Sequence, residues 1–345
     1  MRRALVVLTA VGLVAFGGCI GGVGLGEDSE DDENVGTENT GTDGELEIHH
    51  IDAGQADSTL LITPDGETIL IDTGDWRNDG RDIIDYLEAQ DVDRIDHLIA
   101  THAHADHIGG HAAVIEHFEE HHDGVGAAYD SGVVHTSAAY DDYLDAVEEY
   151  EIRLFQVEEG NDLPLESGTV DATVLNPAEG DSGDGLHYNS VALVVEFGEF
   201  SYLTTGDAER DVEQRLVDDR SDELEADAYQ AGHHGSSTSS TEPFLEAVDP
   251  QVAVISSAEN SQYGHPHDEV FESFADREIE TYWTAAHGDV VLTTDGDELS
   301  VATEREAPTD PEALLEWKLE ATAASVDEGV AIYPSIDPAR ARLPG

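Results

Sequence analysis

From residue 45 onward, apolar residues recur in short alternating runs of the kind that half-buried strands produce. Runs at 46–51, 58–63 and 68–72 predict three consecutive strands, with Pro64, Asp65 and Gly66 marking the turn between the last two. The spacing of Ile83, Ile84 and Leu87 predicts a helix over 81–89; a buried strand at 95–100 and a helix at 108–118 follow. The pattern then predicts a helix at 140–150, strands at 153–157 and 170–175, and a hairpin of 191–197 with 200–205. The second half alternates, with helices at 208–217, 243–247 and 268–275 and strands at 226–230, 252–256, 280–284, 290–293 and 299–303. Two strand-rich halves interleaved with helices predict two sheets face to face with helices outside, an α/β (α+β) chain. One more helix is expected at 311–324.

Ahead of this region the pattern is different. Arg2 and Arg3 precede an apolar stretch from Ala4 to Phe16, then Gly17, Gly18 and Cys19. A charged start, a short apolar region and small residues before a cysteine read as an export signal ending in a lipid-attachment residue, Cys19. The Arg pair also fits a twin-arginine signal. The alternative is an uncleaved membrane anchor, because 4–26 carries no charge and is long enough to span. Either reading exports the following domain and tethers it to the outer face of the cytoplasmic membrane. Residues 27–44 are acidic and rich in Gly and Thr, as a solvated linker would be. The expected organisation is a signal or anchor at 1–26, a disordered linker at 27–44, a globular domain at 45–304 and a C-terminal tail at 305–345.

Charge changes the picture of the surface, not of the core. The chain has 78 Asp and Glu against 14 Lys and Arg, a formal net charge of -64, and Lys318 is its sole lysine. Disorder throughout is excluded by the 39% of hydrophobic residues and their strand-like spacing. The acids are spread along the chain, which suits a halophilic surface whose self-repulsion is screened at molar salt, where the Debye length is about 3 Å. A polycation-binding role would call for blocks of acid instead. No basic stripe for nucleic acid is present, although metal ions can carry a phosphate contact in its place. Cys19 is the only cysteine, which excludes an intrachain disulfide and a cysteine-rich zinc site.

The chemistry concentrates where the strand at 95–100 ends. His102, His104, Asp106 and His107 fall within six residues, between that strand and a helix. Residues two apart in extended chain face the same way, so His102 and His104 can share one metal. The turn into the helix then carries Asp106 and His107 to a second position. Imidazole nitrogens with carboxylate oxygens suit two divalent ions, zinc above all, with manganese or iron compatible. Single histidines elsewhere, such as His97, His111, His117, His121 and His122, read as ordinary surface or core residues.

The run THAHADHIGG (101–110) carries the HxHxDH signature of the metallo-β-lactamase fold. Together with IDAGQADSTLLI (51–62), ILIDTG (69–74), NSVALVVEFG (189–198), LTTGDAE (203–209), AGHHGSSTS (231–239) and YGHPH (263–267), it resembles the extracytoplasmic metallo-β-lactamase domain of ComEC-type DNA-uptake (competence) proteins. The resemblance implies an αββα sandwich of two mixed sheets. It implies that His102 and His104 bind the first metal, that Asp106 and His107 bind the second, and that Asp207 bridges both. Read locally, Asp207 also suits the N-cap of the helix at 208–217. His233 would be the further ligand to the second metal, with His234 as an alternative ligand or a supporting partner. His187 stands where many members of the fold have another ligand histidine, but ComEC-like relatives show asparagines there, so the resemblance does not make His187 a ligand. Asp72 would orient a ligand histidine or hold its turn, and Asp52, Gln55 and Asp57 would line the same cleft. Asp106, His265 and His267 are the catalytic candidates: Asp106 to orient the attacking water, and one of the two histidines to bind substrate or give a proton. Asn189, Ser236, Ser237 and Thr238 are candidates for binding substrate.

No GxSxG elbow and no phosphate-binding glycine loop is present, so the expected reaction is hydrolysis by a hydroxide held between two metals. A phosphodiesterase, with nucleic acid as a candidate substrate and a secreted nuclease as its sharpest form, is the expected activity. The alternatives are a hydrolase of an ester, lactone, thioester or β-lactam on the same site, and a metal- or ligand-binding lipoprotein without catalysis.

Overall fold

The computed structural model describes residues 44–180, 183 and 185–327. The signal or anchor segment with Cys19, nearly all of the linker and the end of the tail lie outside the described residues. Among those described, no helix is long and apolar enough to cross a membrane.

Among the described residues fourteen strands are formed: β1 (Leu46–His50), β2 (Thr59–Ile62), β3 (Thr68–Ile71), β4 (Ile95–Ile99), β5 (Val125–Asp130), β6 (Arg153–Gln156), β7 (Val170–Asn176), β8 (Ala192–Phe197), β9 (Phe200–Thr204), β10 (Ala228–Gln230), β11 (Val252–Ile255), β12 (Glu280–Trp283), β13 (Val290–Thr294) and β14 (Leu299–Thr303). They build an eight-stranded sheet in the order β14-β13-β1-β2-β3-β4-β5-β6 and a six-stranded sheet in the order β12-β11-β10-β9-β8-β7. Both are mixed: β3 to β6 run parallel, as do β9 to β12, while the remaining pairs are antiparallel.

Period-two alternation assigns the faces. Leu61, Ile69, Ile71 and Tyr129 from the first sheet meet Leu193, Val195, Val254 and Tyr202 from the second in one apolar layer. Their chain neighbours Leu60, Leu70 and Ala128 point the other way, under α1 (Arg81–Ala89), α3 (His111–His121) and α4 (Ala138–Glu149). Ala192, Val194, Ala253 and Ile255 pack under α5 (Arg210–Arg220), α6 (Glu242–Val248) and α7 (Asp268–Ala275). The result is the αββα sandwich.

Three boundaries depart from the sequence pattern, each for a local reason. The helix expected at 108–118 is two pieces, α2 (Ala105–Ile108) and α3, with Gly109 and Gly110 between them. A Cβ on Gly109 would lie 2.2 Å from the backbone N of Trp76, so only glycine lets the chain after β3 pass this close. The helix expected from 208 starts at Arg210, with Glu209 in the cap position, so Asp207 is not its N-cap. The packed unit also continues past residue 304. In α9 (Pro311–Asp327), Leu314 is buried and the ring of Trp317 meets Trp283 edge-on at 5.3 Å. Lys318 on the same helix donates to the carbonyl of Pro266 at 2.7 Å and pairs with Asp268, which ties it to the loop that precedes α7.

Candidate metal centre

The parallel strands of both sheets deliver their C-terminal ends to one edge of the sandwich, and the chemistry-bearing loops leave from there. β3 ends into Asp72, β4 into His102 to His107, β9 into Asp207, and β10 into Gly232 to Gly235, while His187 sits on a short 3-10 turn ahead of β8. Glycine is again required beside a key residue. A Cβ on Gly206 would fall 2.4 Å from the Ser190 hydroxyl and 2.9 Å from Cβ of Thr101, and that hydroxyl accepts the backbone N–H of Asp207 at 3.0 Å.

Three overlapping clusters result among the described residues, two of them containing Asp207 and the third made of His187, Glu209 and His233. His102, His104, His187 and Asp207 each place a ligand-type atom within 4.8 Å of the others, and so do Asp57, His107, Asp207 and His234. In the first, His102 Nε2 lies 2.8 Å from His104 Nδ1, and His187 Nε2 lies 3.2 Å from the same atom. Oδ2 of Asp207 stands 3.5 Å from His102 Nε2 and 3.8 Å from His187 Nε2. In the second, Oδ1 of Asp207 is 3.1 Å from His107 Nε2 and 3.8 Å from His234 Nε2, and Asp106 Oδ2 is 3.5 Å from His234 Nε2. The two oxygens of one carboxylate therefore serve two clusters.

The donors fit a pair of divalent cations. Nε2 of His107, Nε2 of His234 and Oδ1 of Asp207 are buried without a hydrogen-bond partner, although they converge. Such orphaned groups are costly unless another species meets them. In the first cluster, burial, with the neighbouring imidazoles, holds His102 well below the usual range and His104 down to about 4, which leaves nitrogen lone pairs free. Burial works against the charge on Asp207, but His107, His234 and His102 together hold its carboxyl well below the usual range. His107 and His234 are pushed up, the latter to about 9, because the carboxylates around them outweigh their burial. A site in which buried carboxylates demand so much positive charge is one that cations relieve.

Supporting groups differ between the clusters. Asp72 accepts from the Thr101 backbone at 2.9 Å and from its hydroxyl at 2.6 Å, and its Oδ2 lies 2.6 Å from His107 Nδ1, so it both holds the turn and orients an imidazole. His234 Nδ1 lies 3.0 Å from the carbonyl of Ser256, and Asp57 accepts from Gln230 at 2.8 Å. On the first cluster's side, Glu209 Oε1 stands 3.5 Å from His187 Nδ1 and 3.3 Å from His233 Nδ1.

Several expected roles change with these positions. His234, not His233, joins the second cluster. Both residues and Gly235 have positive φ (52°, 57° and 76°), a tight left-handed turn that sends the adjacent imidazoles to different sides. His233 turns toward His187 and Glu209, with Nε2 3.5 Å from Asp207 Oδ2. His187, which the resemblance left out, completes the first cluster. Asn189 is buried in its turn and donates to the carbonyl of Gly185 at 2.7 Å. Asp52 pairs with Arg305 at 3.0 Å and supports its own loop. Ser236 is buried beside the Thr238 hydroxyl at 3.0 Å, and Ser237 donates its backbone N–H to His267 Nδ1 at 2.9 Å. His267 thereby pins one loop to another, whereas His265 faces the cleft. Burial holds His265 down to about 4, so its imidazole is neutral at neutral pH. Glu209 and Gln230 are the supporting groups that sequence reasoning missed; Glu209 has a signal, two residues past Asp207 in TTGDAE.

Above the clusters lies a cleft of about 570 Å³, lined by Gln55, Trp76, Arg77, Asn260, Tyr263 and His265 over the metal-type side chains.

The sequence model of the Metallo-beta-lactamase superfamily matches residues 51–258. The chain is 29% identical to ComE operon protein 3 of Bacillus subtilis (strain 168) over 262 residues, 71% of this chain and 33% of that protein. It is 32% identical to Competence protein ComA of Neisseria gonorrhoeae over 219 residues, 64% of this chain and 28% of the relative. Against Recombination protein 2 of Haemophilus influenzae the identity is 29% over 260 residues, 74% of this chain and 30% of the other. The chain therefore spans about a third of the length of these relatives. With its αββα layers, its HxHxDH run and this match across most of the core, the chain belongs to the metallo-beta-lactamase superfamily of metal-dependent hydrolases.

Proposed function

We propose that this protein is a binuclear metal-dependent phosphodiesterase, a nuclease acting outside the cytoplasmic membrane. The observation that carries the reading is the sharing of Asp207 between two donor clusters, one oxygen toward each. In this reading His102, His104 and His187 would hold one divalent ion and Asp106, His107 and His234 the other, with Asp207 available to both, and zinc would be the expected metal. When bound, such a pair supplies Lewis acidity and a water of lowered pKa, which suits in-line attack on phosphorus.

The chain's own residues do the rest. Asp72 and the Ser256 carbonyl fix the rings of His107 and His234, so that their Nε2 atoms need no reorganisation. Asp106 reaches over the second cluster from the first turn of α2 and is placed to hold an attacking water by accepting its hydrogen bond. His265 lines the cleft as a neutral imidazole and contacts the substrate as a hydrogen-bond partner. Similarity to competence proteins favours nucleic acid over other phosphodiesters. Export rests on Arg2, Arg3 and the apolar stretch before Cys19, with Cys19 as the lipid attachment point or the stretch itself as anchor.

The test is incubation of metal-loaded protein in molar salt with small phosphodiesters, carboxylic esters, and single- and double-stranded DNA. Phosphodiester cleavage that is lost in Asp207→Asn and His104→Ala is expected. Turnover confined to carbon-centred esters, lactones or β-lactams would overturn the phosphodiesterase assignment and leave the binuclear site standing.

A further inference from the structure

Among the described residues, three Trp, Tyr or Phe side chains are exposed: Trp76 at 56%, Tyr188 at 37% and Tyr263 at 57%. Folding leaves large rings in water for no gain, and here all three stand around the metal-type clusters. Trp76 and Tyr263 line the main cleft. Tyr188 lines an adjoining pocket of about 260 Å³ that shares His187 with it. Tyr263 lies 5.7 Å from the ring of His265, and the guanidinium of Arg77 sits 5.6 Å from the ring of Trp76.

We infer that Trp76, Tyr188 and Tyr263 form a stacking rim that binds the bases of an unpaired nucleic-acid strand and presents its backbone to the clusters below. The inference rests on the phosphodiesterase reading and names its substrate class. Charge explains why rings are the grip. Arg77 in the cleft and Arg210 in the adjoining pocket are the Arg and Lys side chains that line these two spaces. Asp75, Asp106 and Asp207 line the cleft with Arg77, and Arg77 is already paired with Asp75. On a chain of net charge -64, in salt that collapses counterion-release affinity, a polyanion gains little from such a surface. Base–aromatic stacking survives high salt, accepts every base, and is available only where the base is unpaired. A duplex hides its faces inside its own stack, so the rim discriminates against it.

The experiment is direct binding, which needs no turnover. The full chain is titrated with a labelled oligothymidylate, an abasic strand of equal length and the matching duplex, read by fluorescence anisotropy across the molar salt range. Trp76→Ala and Tyr263→Ala are each expected to weaken oligothymidylate binding on the order of tenfold and Tyr188→Ala by less, within the range of single stacking contacts. Trp76→Phe and Tyr263→Phe should restore most of the loss, and the abasic strand should respond to none of the variants. With two arginines available, log affinity should fall with log salt no more steeply than about -1.4. Unchanged oligothymidylate affinity in the alanine variants, equal losses on the abasic strand, or a duplex bound as tightly as the single strand would overturn the rim. So would the absence of binding to any strand, in which case turnover of a small phosphodiester still judges the parent reading. Stacking-dependent binding without cleavage would uphold the rim and sink the phosphodiesterase.

Discussion

The two halves of the site are built differently. The half that contains His107 and His234 is closed: both rings are almost wholly buried, and each has a second partner on its far nitrogen, Asp72 for one and the Ser256 carbonyl for the other. The half that contains His104 and His187 is open: the side chain of His187 is 28% exposed, and the carboxylate nearest its far nitrogen, Glu209, is itself 39% exposed. Rigid support lowers the cost of holding an ion, and solvent access raises its rate of exchange. The closed half is the anchor in this account. The open half is where an ion would exchange faster.

The largest effect belongs to the residue common to both. Asp207→Asn should remove both ions and lower kcat on the order of 10³-fold, read by turnover together with metal content. If the variant keeps a full complement of metal, the halves do not share Asp207. Next come the supports of the closed half: Asp72→Asn should weaken one ion by about 10- to 100-fold while leaving the other in place, seen by chelator competition. Loss of both ions together would mean that the halves are not separable.

A smaller effect separates the paired histidines. His234→Ala should strip the closed half, whereas His233→Ala should keep both ions and lower activity less than tenfold. The reverse order would exchange their roles. Smaller again on activity is Asp130→Asn. Asp130 lines a small pocket beside His102, under the open half, where burial raises its pKa from 3.8 to about 6 against the opposing hydrogen bond from Gly132. An acid raised by folding gives stability below pH 3.8 that is lost as the pH climbs through about 6, so at pH 8 the buried charge costs roughly 3 kcal/mol. Asp130→Asn should therefore raise Tm at pH 8 and change it little at pH 4, in calorimetry at molar salt. An equal shift at both values would show that the charge is not the cause.

Much of this was legible in the chain. Short apolar runs specify central strands because β3 and β11 each have one face on the inter-sheet layer and the other under helices. The closed half was readable in part, because Asp106 and His107 fall in one turn and Asp72 ends the strand beside it. What the pattern could not carry was backbone direction. Nothing in GHHG states that two successive histidines take left-handed conformations, so their divergence had to be seen. His187 reaches His104 from 83 residues along the chain through a turn held by Ser190 and Asn189, a long-range placement invisible to spacing. The helix after Asp207 starts two residues later than propensity suggests because Glu209 is extended (φ -108°, ψ -179°) and the N–H of Arg210 donates to the carbonyl of Thr238.

In the proposed site one carboxylate, Asp207, joins two metal positions of unequal openness. Metal content per chain, measured by elemental analysis after equilibrium dialysis of the full chain in molar salt, tests it most directly. Two divalent ions are expected in the wild type, one in His187→Ala and none in Asp207→Asn. A single ion in the wild type, or two that persist in both variants, would contradict it.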